Sequence, residues 1–378
     1  MNVVLLCLDS TVPFGGTHGR CAHLRGVATA LIRAGHHVGA LVTNPSNAEL
    51  ESLRAAEVAV TPVEPGISAR TLAIRLGRER PELVLQRLTL GPQPGVQACQ
   101  ALDVPHVYLG DAVPGISGPP EDVHGRERAF TDLRAGLEGS NGAVVATHEL
   151  IRWIKELAPP AFPVREVPRG VDRAFYVAPD PSAVARIVRL LGGGPAFRVG
   201  FFGSFRPWHD LTTLVEAMGR LGQSVRTQLV LVGDGPLRNT VLRSAWEHRA
   251  SIHLAGTVPH ALIPTYLAAC DVVAVPYSSP DACFSPLKLL EAMAAARAVV
   301  ASAIPPCSRL VRDGQSGMLV PPGDATSLHD SLRRLAGDIE LRQRLGIAAR
   351  AAVERHRWDD VAQGLLEFAR VCGFKQSA

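Results

Sequence analysis

The sequence predicts an α/β protein made of two doubly wound parallel-sheet domains in series. Three observations carry this. Short apolar runs alternate with amphipathic helical stretches along the whole chain. The alternation breaks at a proline-containing segment near the middle and then restarts. The length, 378 residues, suits two cores better than one.

The first series opens with Val3–Leu8, an apolar run with no polar face, as a strand covered on both sides requires. A loop with Gly15, Gly16 and Gly19 follows. Leu24, Val27, Ala28, Leu31 and Ile32 then mark one face of a helix ended by Gly35. Further strands are expected at Val38–Val42, Val58–Val63, Leu83–Leu85, His106–Leu109, Ala143–Thr147 and Arg165–Val167. Helices are expected between them at Thr71–Arg80, Gly95–Leu102, Arg126–Leu137 and Glu149–Leu157. Asp172–Pro181, with Pro179 and Pro181, reads as an irregular linker.

The second series places strands at Arg198–Phe202, Gln228–Val232, Ile252–Leu254, Val272–Pro276, Val299–Ala301 and Met318–Val320. Its helices are expected at Leu211–Leu221, Leu237–Arg249, Ile263–Ala269 and Pro286–Ala296. A last amphipathic helix covers Asp359–Val371. The expected domains are therefore 1–172, 173–355 and a C-terminal helical segment, 356–378, packing back on the first domain.

Composition narrows the class. Apolar residues make up 47% and charged residues 20%, the balance of a globular protein, and no run reaches the roughly 20 apolar residues of a membrane span. The N-terminus lacks a basic region ahead of its short apolar run and reads as a first strand, not a signal peptide. Seven cysteines stand singly with no C-x-x-C, and the histidines show no H-E-x-x-H spacing. Neither a disulfide framework nor a metal site is expected, and a reducing cytoplasm fits. The net charge of +4 is mild, its excess sits in the second half and no polybasic block exists, which argues against nucleic acid or an anionic membrane as the main partner. Peripheral contact with a membrane stays open. The positive charge is almost all arginine; Lys155, Lys288 and Lys375 are the only lysines, so a lysine inside a motif draws notice.

Asp281 to Ala296 is the most informative stretch. It follows an apolar strand, Ser285 is a good N-cap and Pro286 a good first helical residue. Such a helix start beside a strand's carboxyl end offers free N–H groups to an anion, a pyrophosphate for example. Lys288 adds a cation in a turn where the helix dipole disfavours one, which a phosphate partner would explain. Glu291, three residues on, suits a ribose diol. The plain alternative is a solvated Lys288–Glu291 pair at a helix start.

Gly203 to Asp210 follows the first strand of the second series, Gly233 to Pro236 the second, and Gly256 to Pro259 the third. With the Pro286–Glu291 helix, this succession resembles the retaining GT-B glycosyltransferases of family 4. The first half is similar too: Gly15 to Gly19 before a helix ending Arg33 to His36, then Ala143–Thr147 and Val167 to Asp172. The resemblance implies a GT-B fold, two Rossmann-like domains facing across a cleft. It implies transfer of a hexosyl or N-acetylhexosaminyl group, with retention, from a nucleotide diphosphate sugar such as a UDP-sugar. The acceptor would be a sugar, an aminocyclitol or a glycan precursor. It also implies residue roles. Backbone groups of Gly15, Gly16, Phe284, Ser285, Pro286 and Leu287 would hold diphosphate and sugar. Arg206 and Lys288 would neutralise phosphate, with His209 and Gly233 beside them. Val258 would meet the base and Glu291 the ribose. No metal or other cofactor is implied.

Three departures stand out. Of the family's two glutamates separated by seven residues only the second, Glu291, is present; Cys283 takes the first place. The family's arginine and lysine after the first strand appear as Ser204 and His209. The mid-domain histidine has no clear counterpart, and Asp111 is the acceptor-side candidate, or else a simple turn residue. Acids between Asp103 and Glu138 leave a cationic acceptor open, although acidic loops are commonly just solvated. A nicotinamide dehydrogenase is disfavoured, because Gly15 and Gly16 are adjacent and no carboxylate follows the second strand. A nucleotide-sugar 2-epimerase, a catalytically silent nucleotide-sugar-binding protein and an enzyme coupling a sugar-like donor to an amine remain as alternatives.

Overall fold

In a computed structural model of the protein, the described residues are 1–8, 19–43, 45, 53, 57–111, 123–278 and 286–373. They form two compact units, Met1–Gly170 with Arg357–Ala378, and Val171–Ala282 with Pro286–His356.

The first unit is built on a seven-stranded parallel sheet of β1 (Asn2–Cys7), β2 (His37–Thr43), β3 (Ala59–Val63), β4 (Leu83–Arg87), β5 (His106–Gly110), β6 (Gly142–Val145) and β7 (Val164–Glu166), in the order β3-β2-β1-β4-β5-β6-β7. Every residue of β4, β5 and β6 is buried, as strands covered on both faces require, and Gln86, Arg87 and His106 are buried along with the apolar residues. One face of the sheet packs on Leu24, Val27 and Leu31 of the helix Gly19–Arg33 and on Trp358, Val361, Leu365 and Phe368 of the last helix, Trp358–Val371. The other face packs on Leu72 and Leu76 of the helix Ala69–Glu79. An Arg33–Asp359 ion pair at 2.7 Å ties the first and last helices at the surface.

The second unit has a six-stranded parallel sheet of β8 (Phe197–Phe202), β9 (Thr227–Val232), β10 (Ile252–Gly256), β11 (Val272–Val275), β12 (Ala298–Ser302) and β13 (Met318–Val320), ordered β10-β9-β8-β11-β12-β13. Its core joins Phe201, Leu214, Leu229, Val272 and Val300 to Leu328, Leu332 and Leu345. The last three come from the helices Ala325–Gly337 and Ile339–Ala352, which are capped by Asp324 and Asp338.

All thirteen anticipated strands are present, within a few residues at their ends. The linker reading of Asp172–Pro181 needs correction. Asp172 caps a short 3-10 helix, Arg173–Tyr176, whose Phe175 and Tyr176 are buried. The Tyr176 hydroxyl donates to the Val353 carbonyl at 2.7 Å. Flanking prolines mask an apolar pair that anchors the segment. Among the described residues no helix is long and apolar enough to cross a membrane.

In each sheet the strand order reverses once, between β1 and β4 and between β8 and β11. At such points neighbouring strands send their connections to opposite faces and leave a crevice at the carboxyl edge, where ligands of open α/β sheets bind.

Candidate active site

The crevice of the second sheet is lined by the loop after β8, the segment after β11 and the helix Leu287–Ala294. Ser278 joins the first two, its N–H donating to the Trp208 carbonyl at 3.1 Å. Close approach of backbone is built in. Gly203 and Gly233, with φ of +135° and +132°, directly follow β8 and β9; a Cβ on Gly233 would lie 2.1 Å from the Gly203 carbonyl oxygen. Only glycine fits there.

Lys288 points into this crevice. Its Nζ lies 2.7 Å from His209 Nε2, 4.5 Å from the centre of the Phe201 ring and 5.6 Å from that of Tyr277. His209 itself is buried, with its Nδ1 2.6 Å from the Ser204 carbonyl. A carbonyl only accepts, so Nδ1 carries the proton and Nε2 is left to accept from Lys288. Burial, and then the neighbouring Lys288, hold the His209 pKa down at about 2. Burial likewise lowers Lys288 to about 7. The plain alternative, a solvated Lys288–Glu291 pair, does not form: Lys288 is only partly exposed and each side chain has a histidine partner instead.

Glu291 Oε1 lies 3.0 Å from His260 Nε2, and the carboxylate is largely buried while the imidazole is half exposed. The His260 ring rests 5.3 Å from that of Phe175, in the segment read as a linker. Sequence reasoning missed both residues, though His260 directly follows the motif Gly256 to Pro259.

The remaining donor-side candidates fall around the same edge. Arg206 is partly buried on the loop after β8, with its guanidinium 5.9 Å from the Trp208 ring. Gly233 directly follows β9, and Val258 follows β10, partly buried. Pro286 needs a correction of register: it is the N-cap, the helix begins at Leu287, and no side chain caps it. Lacking an N–H, Pro286 offers an anion nothing directly; Leu287 and Lys288 carry the helix's first N–H groups, ahead of the intrahelical bonds from Leu289 and Leu290 to the Pro286 carbonyl. Gly15, Gly16, Phe284 and Ser285, like Cys283 and Asp281, lie outside the described residues.

In the first unit, Asp111 directly follows β5 at the carboxyl edge and is buried. Its Oδ2 lies 3.7 Å from Arg169 Nη1. Arg87, at the end of β4, and His23, in the helix after β1, are buried at the same edge. Burial first, and Arg169 second, press the His23 pKa down to about 3. Sequence reading reached Asp111 but not the other three. Among the described residues no group of three His, Cys, Asp or Glu could hold a metal ion.

Against known proteins, the pattern of the glycosyl transferases group 1 matches residues 196–338. The chain is 34% identical over 217 residues to a D-inositol 3-phosphate glycosyltransferase of Stackebrandtia nassauensis, covering 54% of this chain and 47% of that one. It is 30% identical over 295 residues to the protein of the same name from Xylanimonas cellulosilytica, covering 74% and 69%. The chain spans about half the length of several curated relatives it matches. Among solved structures, HepE of Anabaena in complex with UDP and glucose superposes with a TM-score of 0.77 at 18% identity, covering 98% of this chain and 99% of that one. The fold is thus that of GT-B glycosyltransferases, and the chain belongs to the group 1 glycosyltransferase family.

Proposed function

We propose that the protein transfers a hexosyl or N-acetylhexosaminyl group, with retention, from a nucleoside diphosphate sugar, a UDP-sugar in the first instance, to a hydroxyl of a small-molecule or glycan acceptor. One observation carries the reading: Lys288 and Glu291, three residues apart on one helix beside the crevice of the second sheet, are each held by a histidine. The spacing suits a diphosphate at the ammonium and a ribose diol at the carboxylate. Glu291 Oε2 has no protein partner among the described residues, so it is open to accept from such a diol.

In the reaction the bond from the sugar's anomeric carbon to the diphosphate breaks and one to the acceptor oxygen forms on the same face. The acceptor's proton passes to the leaving phosphate. Charge growing on that phosphate is met by Lys288, by Arg206 and by N–H groups at the start of the helix Leu287–Ala294, a preorganised electrostatic role that needs no general base. No metal is required for it. On the acceptor side, Asp111 and Arg169 offer an acceptor and a donor of hydrogen bonds to a polyol; the two relatives above are named for D-inositol 3-phosphate. A cyclitol or its derivative is the acceptor class to try first.

The test is a thermal-shift panel of nucleoside diphosphates and their sugars, followed by product analysis. A ligand of the native site raises the melting temperature in proportion to its occupancy. Stabilisation by a nucleoside diphosphate and an α-linked product from an α-linked donor support the reading. A fold that no nucleoside diphosphate stabilises overturns it.

A further inference from the structure

The surroundings of Lys288 supply its ammonium with little negative charge. The side chain leaves the first turn of a helix, where the N–H groups already present a positive end. Gly203 leaves room for it: a Cβ there would stand 3.0 Å from Nζ. From the loop after β8 it meets His209, with Arg206 acting on that imidazole; from after β11, Tyr277; from the short helix Pro305–Ser308, Cys307; and from its own helix, Glu291. Burial pushes the Tyr277 hydroxyl well above its usual range and the Cys307 thiol up to about 12, so both are neutral. Glu291 is engaged by His260. Among the described residues no carboxylate lies within ion-pairing distance of Lys288 Nζ. Its nearest polar partner is an uncharged ring nitrogen, fixed as an acceptor by the bond from Nδ1–H to the Ser204 carbonyl. Around that ring Phe201, Trp208 and Tyr277 stand 5.5, 5.9 and 5.5 Å away, centre to centre, and fix its plane.

We infer that His209 is a positioning residue, holding Lys288 through Nε2 at the place where an incoming diphosphate completes the ammonium's charge balance, so that nucleotide binding takes up a proton at Lys288. This rests on the donor-site reading above. His209 does not touch the ligand; it keeps the long, flexible lysine from folding back along its helix and leaves Nζ with N–H bonds to spare. In the free protein the amine holds its proton weakly, since burial has brought its pKa to about 7. The phosphate's negative charge reverses that, and the proton comes from solvent. Above neutral pH, nucleoside diphosphate affinity therefore falls by up to about tenfold per pH unit, until the pKa of the bound form is passed.

Calorimetric titration of the full chain with UDP, GDP and ADP tests this, at about pH 8 in two buffers of different ionisation enthalpy, which together report proton uptake. For the nucleotide that binds, wild type is expected to take up close to one proton more than Lys288→Met. His209→Phe is expected to weaken binding about as much as Lys288→Met does, roughly 10- to 100-fold, and the double variant little further, because one acts through the other. His209→Gln, which keeps an acceptor, retains part of the affinity and serves if the phenylalanine variant does not fold. Equal proton uptake by wild type and Lys288→Met, or single losses that multiply in the double variant, overturns the inference. If affinity still depends on Lys288 in that case, the donor-site reading stands. Failure of wild type to bind any of the three nucleotides removes that reading and this inference together.

Discussion

His260 Nε2 lies 3.0 Å from Glu291 Oε1, and Phe175 backs the imidazole at 5.3 Å between ring centres. The carboxylate is thus oriented from one oxygen and open at the other. Charge-assisted hydrogen bonds to a ribose diol contribute about 1.5–3 kcal/mol, so Glu291→Ala should weaken nucleoside diphosphate binding roughly 10- to 150-fold. Glu291→Gln keeps shape and part of the bonding and should be milder. His260→Ala frees the carboxylate to rotate and should cost less than Glu291→Ala. Since the ribose does not react, all three losses should fall on donor binding more than on turnover at saturation. Calorimetry on the four proteins checks this; equal affinities would remove Glu291 from the site.

Lys288 makes two predictions that pull in opposite directions. Turnover at saturating donor should fall roughly 10²- to 10³-fold in Lys288→Ala, the loss typical of an electrostatic stabiliser of a developing anion. The folded state should behave otherwise. The amine's pKa is about 7 in the folded protein against 10.5 ordinarily, so between those values the unfolded chain binds more protons. Stability must then rise with pH across that window, and the lysine weighs against folding most at neutral pH and below. Lys288→Met should abolish this part of the slope, so that its stability relative to wild type declines from pH 7 to 10.5. Denaturant titrations at several pH values measure it. Parallel curves for the two proteins would mean the lysine is solvated. Reading the sequence alone, a first-turn lysine looks cheap to remove; the burial that changes the sign comes from Tyr277, on the preceding strand's exit, and from Phe201, far away in sequence.

How much was legible follows from the range of each signal. Strands β4, β5, β6 and β8 are buried along their whole length; their apolar stretches were legible from local composition, whereas the buried Gln86 and Arg87 that complete β4 were not. The helix carrying Lys288 and Glu291 was visible from its own pattern, one residue out at Pro286 because proline suits both N-cap and first-turn positions. What sequence did not disclose was pairing across the fold. His209 is 79 positions from Lys288 and His260 is 31 from Glu291. No local periodicity records such contacts. The same holds for Arg87, Arg169 and His23 around Asp111, which meet only because four strands end at one edge. In Asp172–Pro181, turn-forming prolines outweighed the two aromatic residues that matter.

Metal independence is a separate expectation. Phosphate charge is assigned to Arg206, Lys288 and backbone N–H groups, so turnover should survive excess EDTA and gain nothing from Mg²⁺ or Mn²⁺. Loss of activity on chelation, restored by either ion, would show that the charge on the leaving group is met in another way.

Acid should unfold the protein earlier than its carboxylates alone dictate. His23, His106 and His209 are buried and uncharged, and burial is the largest cause in each case, with pKa values of about 3, 3 and 2. Their ordinary value is 6.5, so below it the unfolded chain gains protons that the folded one refuses. Stability is therefore fully present above pH 6.5 and is lost as pH falls, with a limiting slope of three protons, about 4 kcal/mol per pH unit. The decisive interval is from about pH 6 to pH 5, where Asp and Glu with ordinary pKa values near 4 contribute little. His106 is the best single probe. It lies in the sheet of the first unit, its Nδ1 3.0 Å from Ser140 Oγ and its Nε2 3.0 Å from Gln86 Oε1, and is not one of the proposed donor residues. His106→Gln is expected to lower stability at neutral pH by loss of that fit, yet to flatten the pH dependence by about one proton. Denaturant midpoints measured every half pH unit read the slope directly. A wild-type stability that stays level from pH 6.5 to pH 5 would mean that these imidazoles reach solvent.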